Sequence, residues 1–175
     1  VCMDFISLID GEENDEISLG NLIQYGESKS LEFKATAKFS LRAGEDDKKL
    51  YYGIIKGICA MANTEGGVIL VGYDEENQSF VGIEKDGFEN NDKWENYVRN
   101  KLTDKVGNLV GVLVDMEFKS YEGVTCALLH VKRSEEAVMC EDLNSSNKVL
   151  YVRTGASTRA LDAEEVMHYA KERFD

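Results

Sequence analysis

The sequence predicts an α+β fold, a mixed and mostly antiparallel sheet with hairpins packed against three to four helices. Three observations lead there. Leu31, Phe33 and Ala35 alternate with Glu32, Lys34 and Thr36, the period of two of a half-buried strand, which turns Glu32 and Lys34 the same way. Leu50, Ile54, Ile58 and Met61 recur at helical spacing. Val110 to Phe118 and Val124 to Val131 face each other across Tyr121-Glu122-Gly123, as the arms of a hairpin do.

The other elements follow in chain order. The acidic start, Asp10 to Glu16, reads as flexible, so residues 1–17 are expected to be a lead-in and residues 18–175 one domain, a module of a longer protein. Ser18 is placed as a helix N-cap, Ile17 to staple against Leu22, and Gly26 as the stop. Polar Lys38 to Asp46, around Gly44, is expected to be a mobile loop. The helix beginning at Asp47 ends at Asn63-Thr64-Glu65-Gly66-Gly67, and Val68 to Tyr73 is too short for a helix and β-rich, hence a central strand. Asp74 to Gln78 turns the chain and Phe80 to Ile83 pairs back. Trp94, Val98 and Leu102 mark a second long helix, and Lys148 to Arg153 a strand. A closing helix is announced by a D-x-x-E capping box, Asp162 and Glu165, with Leu161 and Val166 as its staple.

Composition narrows the function classes. At 175 residues, 43% apolar and 30% charged, the chain can bury a core without disulfide or metal staples. The four cysteines, Cys2, Cys59, Cys126 and Cys140, form no C-x-x-C pair, which excludes a zinc ribbon or thioredoxin-type site and suits the reduced thiols of a cytoplasmic protein. Apolar runs are far shorter than the ~20 residues that cross a bilayer. Gly is never followed by Lys, so a P-loop ATPase is excluded.

Lys and Arg number 20 against 33 acids, a net charge of −13, which opposes a broad phosphate-binding surface. The charges are segregated, however. Val1 to Ser28 holds seven acids and no Lys or Arg, whereas Lys29 to Lys56 holds seven bases against four acids. Lys132, Arg133, Arg153 and Arg159 form a later basic group.

Three groups of residues have the chemistry of a site. Glu27, Glu32 and Asp74 fall at element ends or on an exposed strand face; if the two strands are neighbours, these carboxylates would converge on Mg²⁺ or Mn²⁺, with Lys34 stabilising developing negative charge in phosphodiester cleavage. Gly66-Gly67 reads either as a helix C-cap or as a point where a ligand backbone comes close. His130 and His168 have no Ser or Cys in a nucleophile context; Cys126 and His130 share a strand face and with Cys140 are either metal ligands or core residues, the latter being the expectation. Tyr51, Tyr52, Tyr73, Phe80 and Tyr151 are expected in the core rather than stacked on bases.

Taken together, four segments resemble a family. Gly26-Glu27-Ser28 with Leu31-Glu32-Phe33-Lys34, the run Ile58 to Asp74, Val81-Gly82-Ile83, and Leu150 to Leu161 ahead of a capped helix resemble the Schlafen AlbA-type DNA-binding domain family, from about Leu19 to Phe174. The resemblance implies a nucleic-acid-associated α+β module of a bacterial transcriptional regulator, helicase-like or defence protein. In the Schlafen branch it implies a ribonuclease with three acids, which by motif would be Glu27, Glu32 and, less securely placed, Asp74. Two acids and no Pro in Ser134 to Val138 depart from the pattern, and the Schlafen zinc site is not evident.

The leading expectation is therefore a DNA- or RNA-binding module using Lys34, Lys38, Arg42, Lys48, Lys49, Arg153 and Arg159, with a close backbone approach at Gly66 and Gly67. Alternatives are an Mg²⁺- or Mn²⁺-dependent endoribonuclease and a protein-interaction or homodimerisation module. Expected partners are nucleic acid and the neighbouring domains of a longer chain, not a membrane.

Overall fold

The computed structural model describes residues 15–175. The lead-in expected over residues 1–17 lies outside this range up to residue 14. Helix α1, Asp15–Tyr25, already contains Ser18, so that residue is not the cap. Gly26 ends the helix as expected, with φ +79° and its N–H donating to the Leu22 carbonyl at 3.1 Å.

Strand β1 is Leu31–Lys34, followed by β2, Phe39–Ser40, and β3, Glu45–Asp46. Helix α2 is Lys48–Ala62, with Asp47 as its N-cap. Next come β4, Gly67–Val71, then β5, Tyr73–Asp74, and β6, Ser79–Phe80. Helix α3 is Asn91–Val106, and Trp94, Val98 and Leu102 are its buried residues. Strands β7, Val114–Tyr121, and β8, Val124–Val131, form the expected hairpin. Then follow β9, Met139–Glu141, β10, Lys148–Thr154, β11, Ser157–Ala160, and helix α4, Ala163–Phe174, which starts with the expected capping box.

A four-stranded sheet in the order β1-β4-β8-β7 forms the centre; β1 is parallel to β4 and the other pairs are antiparallel. Both faces of β4 are covered, which explains its unbroken apolar run. Val68 and Leu70 pack with Leu19 and Leu22 of α1, whereas Ile69 and Val71 pack with Ile54, Ile55 and Ile58 of α2. Strands β11-β10-β9 make a second antiparallel sheet against α2. Asn63 ties it down: its Nδ2 donates to the carbonyls of Val138 at 2.8 Å and Tyr151 at 2.9 Å, and its Oδ1 accepts from the Val138 N–H at 2.7 Å.

Three expected elements differ. The strand expected over Phe80 to Ile83 pairs only at Ser79–Phe80, and Ile83–Asp86 is a 3₁₀ helix. Lys38 to Asp46 is a hairpin rather than a loop, because the buried Asp86 carboxylate accepts from the N–H groups of Ala37, Lys38 and Phe39 at 2.8–2.9 Å and from Trp94 Nε1 at 2.8 Å. Residues Asn108–Leu113 form a 3₁₀ helix, so the strand expected from Val110 begins at Val114. The aromatics behave as expected: Tyr51, Tyr52, Tyr73 and Tyr151 are buried, and Phe80 packs on Tyr73 with ring centres 4.9 Å apart. Among the described residues no helix is long and apolar enough to cross a membrane.

Candidate functional site

Strand β1 lies at the edge of the central sheet, so its odd-numbered peptide groups face away from β4 and need other partners. Glu27 supplies one, accepting the Phe33 N–H at 3.0 Å. Arg153, reaching from β10, supplies another: its Nη2 donates to the carbonyls of Ser28 at 2.9 Å and Leu31 at 3.2 Å. Its Nη1 pairs with Glu32 and donates to Thr158 Oγ1 at 3.3 Å.

Glu32 and Lys34 do share a face, the one toward α2, and Lys34 Nζ is 3.5 Å from Glu32 Oε1. Glu27 and Glu32 are brought together as well. Burial pushes the Glu27 carboxyl above its ordinary value, and the neighbouring charges of Glu32 and Glu75 add to this, against the lowering by the Phe33 N–H. The third expected acid is elsewhere. Asp74 is turned to Asn77, accepting from its Nδ2 at 2.7 Å, in a cavity it shares with Thr36 and Arg42. The carboxylate whose charge reaches Glu27 is Glu75, one residue on.

These partners decide how well a divalent ion fits. Glu32 is already neutralised by Arg153 and Lys34, and Asp74 does not join the pair. Among the described residues no three His, Cys, Asp or Glu side chains are grouped to hold a metal. The residues present do not fit the Mg²⁺ or Mn²⁺ site, and no chemical step follows through it. The Cys126, His130 and Cys140 alternative fares no better. Cys126 packs under α1, Cys140 packs under α2, and His130 Nε2 lies 3.0 Å from Glu117. Burial, with the charge of Glu84, pushes the Cys126 thiol up to about 12.

Of the expected nucleic-acid contacts, Arg153 is corrected. At 3% exposure its charge is spent inside the protein, on Glu32 and two carbonyls. The Gly66-Gly67 approach is corrected too, because the backbone that comes close is the protein's own. Gly66 has φ +76°, and a Cβ there would stand 2.6 Å from the Val131 carbonyl; one on Gly67 would stand 2.6 Å from that of Ser30. Arg159 is at the surface and paired with Glu165 at 2.6 Å. Lys38 pairs with Asp46 at 3.5 Å and lies 5.1 Å over the Phe88 ring. Arg42, Lys48 and Lys49 are exposed at the tip of the β2–β3 hairpin and the start of α2, with no ion pair among the described residues.

The family model for "Schlafen, AlbA_2" matches residues 27–162, from Glu27 through the cap of α4. The chain belongs to the Schlafen AlbA_2 family. Two solved structures have the same fold as this AlbA_2 domain. The DIP2311 protein of Corynebacterium diphtheriae is similar at TM-score 0.57 and 19% identity over 84% of this chain. The AlbA_2 domain spans only 28% of that protein. The N-terminal domain of a RecG-related ATP-dependent DNA helicase protein from Nitrosomonas europaea is similar at TM-score 0.52 and 17% identity, over 86% of this chain and 96% of that one.

Sequence reasoning missed Asp86, Asn63, and Tyr169 and Arg173 of α4, and named Arg133 only as part of a basic group. A lone acid after a hairpin, or an Asn at a helix end, looks like ordinary polar punctuation until the distant peptide groups it serves are in place.

Proposed function

We propose that this AlbA_2 domain is a nucleic-acid-binding module, for DNA or RNA, within a longer bacterial regulatory or defence-type protein. The observation that carries the reading is the group Arg42, Lys48 and Lys49, exposed and without carboxylate partners in a chain of net charge −13. Cations that are already paired gain little from a phosphate; unpaired ones release counterions when they meet it. Lys38, just before β2, is paired with Asp46 and lies over Phe88, whose ring packs 5.0 Å from that of Tyr97, so this side adds aromatic surface rather than free charge. The Nitrosomonas domain belongs to a protein named as helicase-related, which agrees with a targeting role beside a motor.

The test is one set of gels at low salt, native and denaturing, with labelled tRNA, duplex DNA and single strands, with and without Mn²⁺. A salt-sensitive shift without cutting is expected. Lys48→Ala with Lys49→Ala should weaken it for every sequence and lower the salt slope by about 2. No shift of any probe would overturn the proposal.

A second reading, an endoribonuclease, is favoured by one observation, the contact of Glu27 with Glu32. It predicts cutting on the denaturing gel that Glu27→Gln removes while the native shift remains.

A further inference from the structure

A cavity of about 590 Å³ opens between the end of α2, the β10–β11 hairpin and α4. Helix α4 has no buried residue, so apolar packing does not hold it over this space. Polar contacts do. The Tyr169 hydroxyl donates to the Asn63 carbonyl, and Arg173 Nη2 donates to the Ser134 carbonyl. Arg133 and Arg173 line the same cavity as Tyr169, and the positive charges of both guanidinium groups act on the Tyr169 hydroxyl.

The other charges lining the cavity are largely matched. Arg159 pairs with Glu165 at 2.6 Å, Arg153 with Glu32, Glu65 with Lys29 at 3.3 Å, and Glu172 lies 3.2 Å from His168. Arg133 and Arg173 have no carboxylate partner among the described residues. Glu164, the unpaired acid, is in the first turn of α4, about 13 Å of helix away from Arg173. Two further donors lack acceptors: Nε of Arg173 and Nε of Arg153 are both buried and unpartnered, on side chains that line the cavity. Buried N–H groups of a charged fork are seldom left without an acceptor.

We propose that this cavity seats the phosphate of a single nucleotide between Arg133 and Arg173, with the nucleoside in the remaining volume. Planar guanidinium forks match phosphate oxygens two at a time, and the volume lies within the ~300–1,000 Å³ typical of small-molecule sites. The choice of phosphate over other anions rests on the nucleic-acid reading above. The site itself is separate from Arg42, Lys48 and Lys49, and its ligand is either a free mononucleotide or the phosphorylated end of a strand.

Calorimetric titration of the domain with AMP, adenosine, and one single strand bearing a 5′-phosphate or a 5′-hydroxyl tests this. AMP should bind at least about tenfold tighter than adenosine, as expected when charge-assisted hydrogen bonds are added. Arg133→Gln should erase that preference, and the exposed, unpaired position of Arg133 leaves the fold alone. Arg173→Lys, checked by its melting curve, should reduce it. A preference for the 5′-phosphorylated strand that Arg133→Gln also removes identifies the strand end as the source; selectivity confined to AMP identifies the free nucleotide. Equal binding of AMP and adenosine, or AMP binding indifferent to Arg133→Gln, overturns the site, even if strands still bind through Lys48 and Lys49. AMP binding with no strand binding overturns the nucleic-acid reading and leaves the site standing.

Discussion

Replacing Arg153 by Met separates two roles that the residue type alone would allow. In the structure its side chain is 1% exposed, pairs with a Glu32 side chain that is 13% exposed, and donates to the Ser28 and Leu31 carbonyls on the β1 edge. Removing one partner of such a buried pair costs about 3–5 kcal/mol, because the charge left behind stays desolvated. Lys34, 3.5 Å from the other Glu32 oxygen, retains part of the compensation, which places the expected loss at the lower end, about 3 kcal/mol. For a domain of this size that is a fall in Tm of about 6–12 °C. Urea unfolding followed by circular dichroism measures it. Glu32→Leu added to Arg153→Met should recover most of the loss, since the stranded carboxylate is then gone. An Arg153→Met protein with an unchanged urea midpoint and weakened nucleic-acid binding would refute this reasoning and return Arg153 to the surface.

Three further outcomes are expected. Asp86→Asn exchanges one accepting oxygen for an NH₂ group among four N–H donors, so at least two lose their acceptor; about 2–5 kcal/mol should go, with faster hydrogen exchange at Ala37, Lys38 and Phe39. Glu27 has a folded pKa raised above its unfolded value, so the stability it contributes is fully present below the unfolded pKa and is lost as pH rises through the folded one; Glu27→Gln should match the parent near pH 4 and exceed it at pH 7 in urea midpoints. Cys59, Cys126 and Cys140 are buried, and burial holds the Cys126 thiol near 12, so iodoacetamide at pH 8 should leave all three unlabelled in the native protein and label them in urea, as peptide masses would show.

Much of the fold was legible because local signals and burial agree. The apolar runs of β4 and β8, the stripe of α2 and the Asp162–Glu165 box needed no distant information. At the clearest departure, a remote group intervened. The β2–β3 segment reads as a polar loop, and Asp86, 47 to 49 residues away, makes it a hairpin by gathering three peptide N–H groups. Glu27 and Glu32 were legible as a pair, since a half-buried strand fixes the side of Glu32 and the turn after α1 brings Glu27 to the strand edge. Asp74 was not, because Gly72 separates β4 from β5 and redirects the chain before it.

The sequence by itself determined the α+β class, the order of the main helices and of the central-sheet strands, the family and the list of cations available for binding. Those follow from periodicity, caps and motif order, which are properties of neighbours along the chain. Only the tertiary structure decided which charges are free. Arg153 and Arg159 look alike in sequence, yet one is buried against Glu32 and the other is paired with Glu165 at the surface, while Arg133 and Arg173 line one cavity with Tyr169. Whether a charged side chain is spent or available depends on partners that packing brings from other elements, at distances of a few ångströms that spacing along the chain does not encode.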